Sequence, residues 1–156
     1  MSLILRRSLI FIGLLAAGLV LYTLWYGIKA DRYDDTAIPY LQAGLPKLTS
    51  WDYAQLKPLL SPAARQDFKN EKVQAAYQAF SRLGQLKSMG KPQFVANRFD
   101  SSEGGEDIEI VDYRVPLQFD SGPAVIKIKL IADGKSYYIH FFGIHSEIYT
   151  NSEGVN

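Results

Sequence analysis

From Ser8 to Ile28 the chain carries no charged side chain; the run follows Arg6-Arg7 and stops at Lys29-Ala30-Asp31-Arg32. These 21 uncharged residues, rich in Leu, Ile and Val, match the roughly 20 that a helix needs to cross ~30 Å of hydrocarbon. Tyr22, Trp25 and Tyr26 gather at its far end, where amphipathic rings favour the headgroup level, and Arg6 and Arg7 mark the near end. The run predicts a single membrane-spanning helix over 8–28, flanked by a tail (1–7) and a linker (29–35). A cleaved signal peptide shares the basic start and the apolar run. The only small triplet suited to cleavage is Ala16-Ala17-Gly18, and cutting there would leave Leu19 to Ile28 as an apolar tail. The run also exceeds the ~7–15 residues of a signal core, so a permanent anchor is expected. The sequence holds no cysteine, which rules out attachment through a lipid-modified one.

Arg6, Arg7 and the terminal amine lie on a very short tail, which places the amino terminus in the cytoplasm, although Lys29 and Arg32 nearly match them in number. The expectation is a bacterial inner membrane, with the domain over 36–149 in the periplasm and a frayed tail over 150–156. Gly13 and Ala17 form a small-x-x-x-small pair that would let two such helices approach closely. The partners expected are therefore the bilayer and either an envelope protein or a second copy of the chain. Past Lys29, 14 basic residues face 16 acidic ones, so there is no electrostatic footprint for nucleic acid. Some 120 residues are enough to close one core without disulfides.

Helical signals come first in the domain. Thr36 to Leu45 reads as a short helix, with Pro39 in its first turn and Leu45-Pro46 ending it. Ser50 is placed to cap Trp51 to Leu60, and Ser61-Pro62 is the stronger start, with a capping serine before a proline at the first helical position. Val73, Ala76, Tyr77, Phe80 and Leu83 form a stripe with 3-and-4 spacing that Gly84 stops. From Lys91 the period becomes two. Gln93 to Asp100 and Asp107 to Phe119 read as strands. In the second, Ile108 and Ile110 share one parity while Val111, Tyr113, Val115, Leu117 and Phe119 share the other, a slip that predicts a β-bulge. Ala124, Ile126, Ile128 and Leu130 alternate with outward Lys127 and Lys129. Asp133-Gly134 then signals a hairpin into an aromatic strand, Ser136 to Ile148.

About three helices followed by a curved four-stranded antiparallel sheet define an α+β class in which the sheet wraps a helix. Several segments carry a family resemblance: Arg82-Leu83-Gly84-Gln85-Leu86, Tyr113-Arg114-Val115, Phe119 to Ile128 with Gly122, and Asp133-Gly134-Lys135 leading to Tyr138-Ile139. On these the chain resembles the cystatin-like roll of the nuclear transport factor two and ketosteroid isomerase superfamily, and within it small membrane-anchored bacterial exported domains. A span followed by this roll also resembles the inner-membrane scaffold subunits of type IV secretion systems. The resemblance implies the roll. Its members include isomerases, dehydratases, lipid-pocket proteins and inactive scaffolds, so it does not imply one activity.

The residues present weigh against most chemistry. His140 and His145, the only histidines, lie five apart on one strand and point to opposite faces in regular geometry; no metal or other cofactor is expected. The loop of Asp100, Glu103, Glu106 and Asp107 with Gly104-Gly105 lacks the ligand spacing of a calcium loop. Isomerase-like chemistry needs a carboxylate base inside the cone. The positions assigned inward on the strands are all non-ionisable except Tyr113, and Glu109 and Asp112 have the wrong parity. No catalytic residue is assigned. Tyr40, Tyr53, Tyr77 and Tyr113 are the candidate pocket lining, for a small apolar ligand or lipid. Lys127 and Lys129 beside Tyr138, His140 and Phe142 are the candidate interaction surface, because aromatic and basic groups together are typical interface material. The main expectation is a non-catalytic, membrane-anchored interaction domain. An apolar-ligand protein is the alternative, and an isomerase- or dehydratase-like enzyme the second alternative.

Overall fold

The computed structural model describes the backbone of residues 3–101, 107–134 and 136–146, and side chains within them from residue 12 onward, other than those of 25, 26, 28–31 and 101. The chain divides into two compact units, Met1–Asp35 and Thr36–Asn156.

One helix, α1, runs over Leu3–Leu48 with Pro39 and Pro46 inside it. The expected linker at 29–35 is thus helical, and the helix does not stop at Leu45-Pro46. Two features differ along it. Every side chain from Ile12 to Leu24 is exposed, including Leu14, Leu19 and Leu21 at 66–68%. The hydroxyl of Thr23 in this stretch donates to the Val20 carbonyl at 2.8 Å, so its polarity is satisfied within the helix. Within the second unit, Ala37, Leu41, Leu45 and Leu48 are fully buried, one stripe at helical spacing. Burial of that stripe carries the helix through two prolines that would end an unsupported one. Among the described residues no helix is long and apolar enough to cross a membrane.

Short helices follow. Asp52, not Ser50, caps α2 (Tyr53–Leu56) by accepting from the Ala54 amide at 2.9 Å, and a 3-10 turn over Lys57–Leu59 continues it. Trp51 precedes the cap with φ +60°, a left-handed conformation uncommon for a bulky side chain. Its indole N–H donates to the Gly84 carbonyl at 3.0 Å and its ring lies against Tyr77 and Phe119. As the sequence predicts, Ser61 caps α3 (Pro62–Asp67) with proline first. Asn70 caps α4 (Glu71–Ala79), and a 3-10 turn over Phe80–Leu83 ends at Gly84, φ +80°. A Cβ on Gly84 would meet Asp120 Cβ at 2.8 Å, so glycine is required there by both conformation and space.

The sheet has five strands rather than four: β1 (Leu86–Met89), β2 (Gln93–Ser101), β3 (Asp107–Phe119), β4 (Gly122–Asp133) and β5 (Ser136–Ser146). All pairings are antiparallel. The order is β1-β3-β4-β5, with β2 beside β1 along the same edge of β3. Val111, Tyr113, Val115, Leu117 and Phe119 of β3 and Ala124, Ile126, Ile128 and Leu130 of β4 are all buried, on the face expected. β3 itself pairs with β4 without a break from Ile110 to Phe119. The expected bulge lies instead in its partner, where Val95 is the extra residue between Phe94 and Ala96. Ile110 is buried on the opposite parity, beside its register partner Ile131, and this accounts for the slip in the sequence pattern. A further irregularity sits in β5: Lys129 pairs with Phe141 and Leu130 with Ile139, leaving His140 as the extra residue.

Candidate functional site

The His140 bulge determines what the sheet offers to the helices. Before it, Tyr137 and Ile139 are buried; after it the buried side falls on Ile144 and Ser146, with Phe142 half-buried. The strand changes parity because one residue has been added. The Ser61 amide donates to the Ile139 carbonyl at 2.9 Å, Leu60 makes an isolated parallel bridge to Ile139, and Ser61 Oγ lies 3.3 Å from His140 Nδ1. These contacts tie the start of α3 to the bulge. Beyond it, the chain turns away at Pro62 and leaves a cleft of about 440 Å³ between α3, α4 and β5.

Rings floor this cleft. Phe68 stacks on Phe142 at 6.4 Å and meets Tyr77 edge-on at 5.6 Å; Tyr77 meets Phe142 edge-on at 6.1 Å. Val73 and Ala76 of α4, with Phe80 of the turn that follows, form one wall. These are the residues of the sequence stripe that are not fully buried, whereas Tyr77 and Leu83 are. Gln74 fixes the α3–α4 corner by donating to the Phe68 carbonyl at 2.7 Å. The Tyr77 hydroxyl donates to the Leu48 carbonyl at 2.8 Å. Burial, with Asp52 as a second cause, pushes its pKa up to about 12, so at neutral pH it is a neutral donor fixed in the core. Gln66, Asp67 and Asn70 line the α3–α4 side, and His140 and Phe141 the strand side.

Of the four tyrosines expected in a pocket, Tyr77 alone reaches the cleft. Tyr40 lies against Tyr137 at 5.7 Å, with its hydroxyl 3.4 Å from the Leu59 carbonyl; desolvation, with Tyr138 as a second cause, raises its pKa to about 12. Tyr53 stacks on Phe68 at 5.2 Å, outside the lining residues. Tyr113 is buried under Phe94. The expected interaction surface is divided by the bulge. Lys127 pairs in register with Gly143, and Lys129 Nζ sits 5.3 Å over the ring of Phe141, which is 54% exposed. Phe142 faces the helices instead, and Tyr138 pairs with Ile131. Tyr138 and Phe142 have even spacing, but the extra residue between them puts them on opposite faces. Of the expected membrane-interface residues, Tyr22 is exposed; the side chains of Arg6, Arg7, Trp25 and Tyr26 lie outside the described residues. So does loop 102–106, with Glu103, Gly104, Gly105 and Glu106 of the rejected calcium reading.

Chemically, the cleft suits an apolar group. Its volume falls in the ~300–1,000 Å³ range of ligand sites, and its lining of rings with a few polar groups is typical of them. The Ser61–His140 contact invites comparison with a nucleophile and its base, but its local role is structural. Ser61 is 1% exposed and its Oγ already accepts the Ala64 amide as a helix cap. No carboxylate among the described residues orients the imidazole, as a catalytic arrangement would need. Asp112 pairs with Arg98 at 3.1 Å and Glu109 accepts from Asn97 at 3.5 Å, both away from the cleft lining. Among the described residues no group of three metal-binding side chains comes together. No family model, curated protein or solved structure matches the chain.

The sequence reasoning missed the α3 contribution and the β5 bulge. A signal for the bulge was present: Tyr137-Tyr138-Ile139-His140-Phe141-Phe142 has no period of two. That is the same fault that drew attention to β3.

Proposed function

We propose that this chain is a non-catalytic interaction domain of the bacterial envelope, tethered to the inner membrane by residues 8–28, with its amino terminus in the cytoplasm and its cleft offered to a partner protein in the periplasm. The observation that carries the binding role is the aromatic-floored cleft between α3, α4 and β5. Its apolar side chains line an open concavity, and such concavities mark sites of recognition. The order of helices and antiparallel sheet is compatible with a cystatin-like roll, and a roll of that kind can serve as a scaffold or accessory domain.

The tether is supported by the stretch from Ile12 to Leu24, exposed on every side of its helix. These 13 residues cover only about 20 Å; the sequence extends the uncharged run to Ser8 and Ile28, long enough to span. A helix apolar all round suits lipid better than water. The test is fractionation of the full chain with alkaline carbonate, beside alkaline-phosphatase activity of a fusion after Asn156. The intact chain should stay in the membrane pellet with an active fusion, and Leu15→Arg with Leu19→Arg should release it. An intact chain found in the supernatant would overturn the tether, and an inactive fusion would overturn the orientation. A second reading, a small apolar molecule or lipid in the cleft, is favoured by the cleft's volume alone.

A further inference from the structure

We infer, resting on that interaction reading, that the cleft binds an extended peptide segment of the partner, added as a strand to the open edge of β5, with a large apolar side chain in the cleft and a basic residue beside Asp67.

The backbone argument comes from register. In antiparallel sheets alternate residues bond to one neighbour and the residues between them bond to the other. The tight turn joining Phe119 to Gly122 makes β4's even-numbered residues bond to β3, so Val125, Lys127, Lys129 and Ile131 bond to β5. Phe142 and Ile144, which face Ile128 and Ile126, therefore turn their N–H and C=O groups to the far side. Among the described residues, the only backbone hydrogen bond on that far side of β5 is Ser61 N–H to Ile139 O. The chain thus already lays its own extended segment, Leu60-Ser61, in this lane, and then leaves it at Pro62. A partner strand continues a pairing already begun.

Sheet edges are ordinarily blunted by lysine, proline or bulges. The opposite edge follows that rule: β1 and β2 carry Lys87 and Val95 as extra residues and are joined through Gly90-Lys91-Pro92. Past His140, β5 has none of these devices at Phe142-Gly143-Ile144. A strand added there would project alternate side chains toward the helices, and the cleft beside Phe142 is the space they would enter. Affinity from main-chain bonds and specificity from one side-chain pocket is a known mode of peptide recognition. Charge fixes the neighbour. Asp67 is the one carboxylate among the lining residues, it is exposed, and it has no ion-pair partner among the described residues. No lysine or arginine lines the cleft, so a basic side chain next to the apolar one is complementary.

The test uses the full chain in phosphatidylcholine nanodiscs and a positional library of labelled seven-residue peptides rich in Thr and Val, read by fluorescence anisotropy. The library should select Leu, Phe or Trp at the centre and Lys or Arg beside it. Ala76→Trp, an exposed position in the cleft wall, should weaken the selected peptide at least tenfold with an unchanged melting temperature. Asp67→Asn should remove the preference for the basic neighbour. Methylating alternate amide nitrogens of the peptide should abolish binding, because those amides pair with β5. No selection at the centre position, or selected peptides that bind Ala76→Trp as well as the parent, would overturn the proposal. Equal binding of the methylated peptide would overturn it in favour of a small apolar ligand. A dimer that Ala76→Trp dissociates would overturn it in favour of a second copy. Failure of the tether reads separately, as a chain that fractionates into the supernatant yet still selects peptides.

Discussion

Two groups of apolar residues among the described residues differ sharply in solvent exposure. Along β3 and β4 they occupy alternate positions, and nine of nine expected inward positions are buried, from Val111 to Leu130. Along α1 from Ile12 to Leu24 they occur on every side of the helix and all are exposed. The first group closes a core, and its period records the face it closes against. The second has no such face. These residues take no part in the fold's interior, and that is the observation on which the proposed tether rests.

Replacing one residue from each group should produce the widest gap. Ile126 is fully buried, so Ile126→Ala should cost ~2–5 kcal/mol. Leu19 is 66% exposed, so Leu19→Ala should change the stability of the domain by less than about 0.5 kcal/mol. Thermal melts of both full-length variants in the same detergent decide it; equal losses would break the distinction.

A narrower gap is expected within one strand. Phe142 touches Phe68 and Tyr77, whereas its neighbour Phe141 is 54% exposed under Lys129. Phe142→Ala should destabilise by about 1–2 kcal/mol, part of what full burial of a phenylalanine supplies, and Phe141→Ala by a few tenths. The reverse order in urea denaturation would show that the bulge does not set the faces.

The smallest effect concerns pH. Asp120 is held below the ordinary carboxylate range, first by its hydrogen bond to Lys87 and then by the Gln85 amide at 2.7 Å. A depressed acid stabilises the fold above its unfolded pKa, and that contribution is lost as pH falls through the folded value. The melting temperature should therefore drop slightly more between pH 5 and pH 2 (~3 units of acid range) for the parent than for Asp120→Asn. The group is exposed, so the difference will shrink further in high salt.

What the sequence made legible followed from local rules. The Ser61-Pro62 start is visible because capping and proline geometry act within one turn. The β3–β4 face is visible because alternation is enforced by burial on one side. Other features depend on partners distant along the chain. Leu86–Met89 is too short to show a period, and becomes a strand only by pairing with Leu117–Phe119. Pro39 and Pro46 read as helix boundaries, yet burial of Ala37, Leu41, Leu45 and Leu48 overrides them. The candidate site was legible only in part. Tyr77 and the α4 stripe belong to it, but Phe68 is brought there by the α3–α4 corner and Phe142 by the extra residue before it.

That extra residue works like a phase shift inserted midway along a wave. Upstream of His140, β5 keeps time with the Asp133-Gly134 turn; downstream it keeps time with the helices. Removing His140 would make Ile139 and Phe141 neighbours, opposite Leu130 and Lys129 as they are now, so the strand would run without a break and Phe142, Ile144 and Ser146 would keep their faces. The same residues run as a regular strand, with His140 kept and no bulge, would instead turn Phe142 away from Phe68 and Tyr77 and dissolve the aromatic floor.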